Sequence, residues 1–324
     1  MGNHIERWDG SSWTVFPAPE FGLAGVTCSS TADCWAVGRR SEAGSFGSLI
    51  LRYTDAAATT PAQLQNISTR LRVQTGDNVL IGGFIVTGNA AKKVILRAIG
   101  PSLSTNGSGM PGRLVDPTLE LVDNAGVSIA ANDNWKDSPQ RAEIELSGIA
   151  PTDDREAAIV RTLAPGNYTA TVRGAGGATG IGLVEAYDVD SAADARLANI
   201  STRGFVETGD NVMIGGFIVG PADRGNSTIV IRAIGPSLTS KGVAGALQDP
   251  TVELNDPNGS VIAANDNWKD NQQAEIAATG IAPADDRESA IVRVLAPGNY
   301  TAVVRGKSGT IGVALVEAYN LGTP

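Results

Sequence analysis

The sequence predicts an all-β chain: two tandem jelly-roll-like β-sandwiches behind a small N-terminal four-stranded β segment. Three observations lead there. First, the chain repeats itself. Asn66-Ile67-Ser68-Thr69-Arg70 returns 133 residues later as Asn199-Ile200-Ser201-Thr202-Arg203, and Ile81-Gly82-Gly83-Phe84 returns as Ile214-Gly215-Gly216-Phe217. Second, 39 of 324 residues are glycine, above the usual ~7%, and only 18% are charged. That is the composition of strands joined by tight turns. Third, short segments alternate apolar and polar residues, as in Tyr168-Thr169-Ala170-Thr171-Val172-Arg173.

The period divides the chain into residues 1–58, 59–191 and 192–324. A repeat of this length is domain-sized, so each copy is expected to own a core. Short linkers without glycine, Ala56–Pro61 and Ser191–Asp194, favour a fixed or semi-fixed arrangement.

In the first segment, Ile5–Trp8, Asp9-Gly10 and Trp13 read as strand, turn and strand. Further strands are expected at Leu23–Cys28, Cys34–Gly38 and Ser48–Tyr53. The Trp-Asp-Gly-Ser-Ser-Trp turn and Asp33-Cys34-Trp35-Ala36-Val37-Gly38 resemble a single blade of a propeller-like repeat common in secreted bacterial proteins. A lone blade leaves two faces and two edges uncovered, where about three repeats normally close a core. Something outside the segment must complete it. Cys28 and Cys34 bracket a five-residue turn, readable as a disulfide of an oxidising compartment or as two small buried thiols.

Each later copy holds about eight strand candidates. In copy one they lie near Leu64–Arg70, Asn78–Val86, Val94–Ile99, Thr118–Val122, Val127–Ala131, Ala157–Leu163, Tyr168–Gly174 and Ile181–Tyr187. One short helix per copy is expected, at about Ser138–Ser147 and Asn271–Thr279. Asp137 and Asp270 are the expected N-caps, and Gly148 and Gly280 end the helices. Eight short strands in roughly 125 residues indicate a two-sheet sandwich.

The runs Leu119–Gly126, Ile129–Trp135 and Leu163–Ala170 resemble the bacterial pre-peptidase C-terminal type of β-sandwich. The resemblance implies a secreted accessory domain without catalysis, sometimes holding calcium. It covers the later half of each copy. The earlier half, with its Arg-Ala-Ile-Gly-Pro-Ser-Leu, resembles a tandem module of large secreted bacterial proteins.

Composition narrows the function. A formal net charge of −9 repels phosphate backbones, which argues against nucleic acid as partner. No apolar run approaches the ~18 residues of a membrane span. No export signal is visible at Met1, so the exported character of the chain implies a start further upstream. One histidine, His4, and two cysteines leave little material for a Ser–His–Asp triad or a zinc site. Carboxylates remain. Asn132, Asp133, Asn134, Asp137, Asp153 and Asp154 form an oxygen-rich group, matched by Asn265, Asp266, Asn267, Asp270, Asp285 and Asp286. Calcium takes six to eight hard oxygens, which such loops can supply, although EF-hand spacing is absent. The competing reading is turn and cap chemistry. Trp8, Trp13, Trp135 and Trp268 are candidate ligand or partner contacts, with half-buried packing as the alternative for the last two.

The expectation is thus a non-catalytic extracellular or cell-surface structural protein of bacterial type. It would self-associate into a surface, matrix or filament assembly through strand edges or the N-terminal segment. The alternative is an accessory module that binds polysaccharide or cell wall for an attached enzyme.

Overall fold

The structure is a computed structural model. It describes the strands His4–Trp8, Trp13–Pro17, Phe21–Ser30, Asp33–Glu42 and Ser45–Thr54, then residues 60–105 and 107–322. The chain divides into two compact units, residues 1–59 and 60–324.

Among the described residues, the first unit contains five strands in two sheets, where four in one were expected. Strand β1 (His4–Trp8) pairs antiparallel with β2 (Trp13–Pro17), with Trp8 opposite Trp13. Strands β3 (Phe21–Ser30), β4 (Asp33–Glu42) and β5 (Ser45–Thr54) form a separate meander.

In the second unit, copy one supplies β6 (Gln63–Val73), β7 (Leu80–Gly88), β8 (Lys92–Ile99), β9 (Pro117–Val122), β10 (Ser128–Asn132), β11 (Ala157–Leu163), β12 (Gly166–Gly174) and β13 (Gly180–Asp188). Copy two supplies β14 (Ala195–Val206), β15 (Met213–Gly220), β16 (Ser227–Ile234), β17 (Pro250–Asn255), β18 (Val261–Asn265), β19 (Ser289–Leu295), β20 (Gly298–Gly306) and β21 (Gly312–Gly322). A two-residue hairpin, Ser104–Thr105 with Ser108–Gly109, decorates copy one. Burial alternates along these strands with the period of two that one core-facing side demands, as in β9 and β17.

The two copies do not sit side by side as closed sandwiches. One sheet runs β10-β9-β12-β7-β14-β21-β16-β19. The other runs β18-β17-β20-β15-β6-β13-β8-β11. Each sheet takes four strands from each copy. The joints are β7 to β14 and β15 to β6, so the first strand of each copy is paired with the second strand of the other. The two ladders keep equivalent registers: Arg203 faces Ile81, and Ile214 faces Arg70.

Equivalent residues therefore meet at the seam. Leu64 pairs with Leu197, and the Thr202 hydroxyl donates to the Thr69 hydroxyl at 2.8 Å, both residues fully buried. This is a pseudo-two-fold axis parallel to the strands. The diglycines of the repeated motif lie at this joint. A Cβ on Gly83 would stand 2.6 Å from the Ser201 hydroxyl of the other copy.

One apolar core results. It runs without interruption from Leu64, Leu71 and Phe84 to Leu197, Phe217 and Ile231. The stacked pair Phe84–Tyr168 is mirrored by Phe217–Tyr300, with centroids 5.6 and 5.7 Å apart. The sequence period marks the copies, but packing joins them. Ladder bonds between copies leave neither core closed by its own strands alone. The linker is pinned as well: Asn89 and Ala90 N–H groups donate to the Asp194 carbonyl. The buried Lys92 ammonium lies 2.9 Å from the Asp188 carboxylate and donates to the Asp190 carbonyl at 2.6 Å.

Strand directions sort the loops. Equivalent strands run the same way, because β14 is antiparallel to β7 and β15 to β6. Loops 74–79, 100–116, 133–156 and 175–179 lie at one end, together with 207–212, 235–249, 266–288 and 307–311. Linker 189–194 and turn 123–127 lie at the other.

Candidate functional site

All twelve oxygen-rich residues singled out by the sequence fall at the loop end, and their bonds show what most of them do. Asn132 spans the corner between β10 and β11. Its amide nitrogen donates to the Asn134 carbonyl at 3.1 Å, and its oxygen accepts the Ala158 N–H at 2.9 Å. Asn265 makes the same two bonds, to Asn267 and from Ala290. Asp153 is clasped by the Arg155 guanidinium at 2.8 and 2.9 Å, and Asp285 by Arg287 at the same distances. Those hydrogen bonds hold both carboxyls below the ordinary 3.8. Asp154 pairs with Lys136 at 2.5 Å, and Asp286 with Lys269 at 2.6 Å.

The expected N-caps are not made. The helices are α1 (Arg141–Leu146) and α2 (Gln273–Ala278), capped in position by Gln140 and Gln272 without a side-chain bond. Asp137 instead ends a separate 3₁₀ turn, Trp135–Asp137. Asp270 accepts from the Asn267 amide at 2.8 Å.

Trp135 and Trp268 are buried, 6% and 8% exposed, under α1 and α2. Trp135 packs with Ile144, Ala158 and Val160, and its indole N–H donates to the Asp153 carbonyl at 3.1 Å. Both rings are thus taken up by packing, the alternative that the sequence left for these two. The side chains of Trp8 and Trp13 lie outside the described residues, as do those of Cys28 and Cys34. The backbone register does place Cys28 directly opposite Cys34, a relation within the Cα separations a disulfide needs.

Two groups that the sequence reading passed over organise this end. Glu156, fully buried, accepts the Gly100 N–H (3.0 Å), the Ser102 N–H (2.9 Å), the Ser102 hydroxyl (2.6 Å) and the Asp153 N–H (3.4 Å). Glu288 repeats the set with Gly235, Ser237 and Asp285. Arg97 donates to Glu185 and to the Ile149 carbonyl, with its guanidinium 5.2 Å from the Tyr187 ring centre. Arg232, Glu317, Ile281 and Tyr319 do the same. Burial, with the adjacent glutamate, pushes both tyrosines up to about 12. The signal was the repeat itself: Arg-Ala-Ile-Gly-Pro-Ser, the Glu of Asp-Asp-Arg-Glu and Val-Glu-Ala-Tyr recur together because they bond together.

Beside Asp133 and its equivalent Asp266 the copies differ in charge. In copy two, the Lys307 ammonium lies 2.6 Å from Asp266 and 3.7 Å from Asp249. Its counterpart in copy one is Ala175, whose N–H donates to the Asp116 carbonyl just as that of Lys307 donates to the Asp249 carbonyl. Without the ammonium, partial burial and the nearby Asp116 and Asp137 raise the Asp133 carboxyl above 3.8. Among the described residues, no three of His, Cys, Asp and Glu converge in a geometry suited to a metal ion.

No family model matches the chain, and no curated protein is similar to it. One solved structure aligned with it is the M60 catalytic domain with the CBM51-1 and CBM51-2 domains from Clostridium perfringens ZmpB. It is 6% identical with a TM-score of 0.19, over 94% of this chain and 43% of that one. Likeness at that level bears on neither fold nor function. The chain stands as an all-β, predominantly antiparallel sandwich protein.

Proposed function

We propose that the chain is a non-catalytic structural subunit of an extracellular or cell-surface assembly, self-associating through its N-terminal β segment. The observation that carries this reading is the use made of the polar residues at the loop end. In both copies Asn132, Asp153, Asp154 and their equivalents, and the buried glutamates, are engaged in bonds within and between these loops. Side chains spent this way rigidify a body and leave little for a substrate. The N-terminal unit supplies the contrast. Among the described residues, β3 and β5 each pair only with β4, which leaves two ten-residue edges. Long unpaired edges are templates for strand addition by another copy.

The test is sedimentation velocity with negative-stain imaging of the full chain over a concentration series. Concentration-dependent polymers are expected, and a monodisperse monomer at every concentration would contradict the proposal. The cysteine pair adds a check on compartment. Intact mass after oxidative refolding should be two hydrogens lighter than after reduction, and unchanged mass would remove the disulfide.

A further inference from the structure

We infer that the double sandwich is mechanically weak between its two ends, which meet at one end of the body, and that it presents the loops of both copies at the other. Where the chain enters, the Ala62 N–H donates to the Gly225 carbonyl at 2.9 Å. The Ala62 carbonyl in turn accepts the side-chain amide of Asn320, near the exit, at 2.8 Å. A Cβ on Gly322 would lie 3.8 Å from the Pro61 ring. Entry and exit thus touch. β6 runs from that end for eleven residues, about 35 Å at ~3.3 Å per residue, before the first loop of the far end begins.

The consequence is mechanical. A force applied to two touching points pulls them apart across the strands, so ladder bonds load one after another. A force along the strands loads the bonds of a whole ladder together. The entry strand β6 lies in one sheet and the exit strand β21 in the other, so no ladder joins them directly. An element built to carry load in line needs its two attachments at opposite ends. Here residues 62 and 320 meet at one end, so force between them falls on the Ala62–Asn320 contact rather than along the sheets. A partner approaching the opposite end meets loops of both copies at once, related by the pseudo-two-fold axis.

Single-molecule force spectroscopy on the full chain tests this. One geometry holds the protein by its two termini. The other holds it at residue 77 and the C-terminus, using a non-natural amino acid in place of the exposed Asp77. That second geometry pulls β7 and β21 lengthwise against β14, which pairs with both. The contour-length gain identifies opening of the 60–322 body in each trace. Opening at lower force through the termini than in the lengthwise geometry is the expected result. Equal or higher force through the termini would overturn the inference.

Discussion

The two copies share one fold and one set of latches, yet they are not interchangeable at the seam. Leu71 and Gly204 occupy equivalent positions across the pseudo-two-fold axis. A Cβ on Gly204 would stand 2.1 Å from a Leu71 methyl. The fully packed Leu71 side chain fills the room that Gly204 leaves. Two leucines would collide there, and two glycines would leave a hole. Gln74 and Glu207, also equivalent, have diverged into a donor and an acceptor at 3.3 Å. The difference teaches that the seam has become a junction between unlike halves, specific for copy one against copy two.

The largest effect should come from breaking what the copies share. Glu156→Ala strands four donors, and Glu288→Ala strands their equivalents, at on the order of 1–3 kcal/mol for each buried group left unpaired. Urea denaturation should show comparable losses for the two variants. A loss confined to one copy would break the symmetry.

The knob and hole come next. Leu71→Ala should cost about 2–5 kcal/mol, and Gly204→Leu should destabilise by overpacking. The exchange Leu71→Gly with Gly204→Leu should recover much of the loss. Additive losses in this double-mutant cycle would separate the two positions. Thr202→Val should cost roughly 1–3 kcal/mol by stranding the Thr69 hydroxyl, whereas Thr69→Val with Thr202→Val should be nearly neutral.

The smallest effect sits at the loop end. The Asp133 carboxyl lies above 3.8 when folded, so it opposes folding at neutral pH. That penalty is relieved as pH falls through the raised value towards 3.8. Ala175→Lys, copying Lys307, should bring the Asp133 titration back down, as followed by NMR. Asp153 and Asp285 have the opposite sign. Their contribution is present above 3.8 and is lost as pH falls through their depressed values. EDTA should leave the melting temperature unchanged, because the bonds of Asn132, Asp153 and Glu156 already tie these loops; a fall that calcium restores would put a cation among them.

Much of this was legible before any coordinates. Alternation marked the eight strands of each copy, and the repeat marked where the second run of the same strands begins. Asn132 and Asn265 fell among the turn and cap residues. Three things were not legible. The fusion of the copies was hidden because β6 and β14 carry the same pattern whichever partner they pair with, and a period in sequence says nothing of which ladder closes. The glutamate latches were hidden because Glu156 sits in an acidic, turn-like run that looks solvated, while three of its four donors lie more than fifty residues away. The N-cap expectation failed at Asp137 because the 3₁₀ turn held by Trp135 takes up the residues that would have begun the helix.

The central claim is that residues 60–322 fold as one body with one core. Native-state hydrogen exchange, read by mass spectrometry in rising urea, tests it most directly. With Glu288→Ala placed in copy two only, the slowest-exchanging amides of β8 and β16 should lose protection together. If β16 opened while β8 kept its full protection, the copies would be two independent sandwiches, and the account would be wrong.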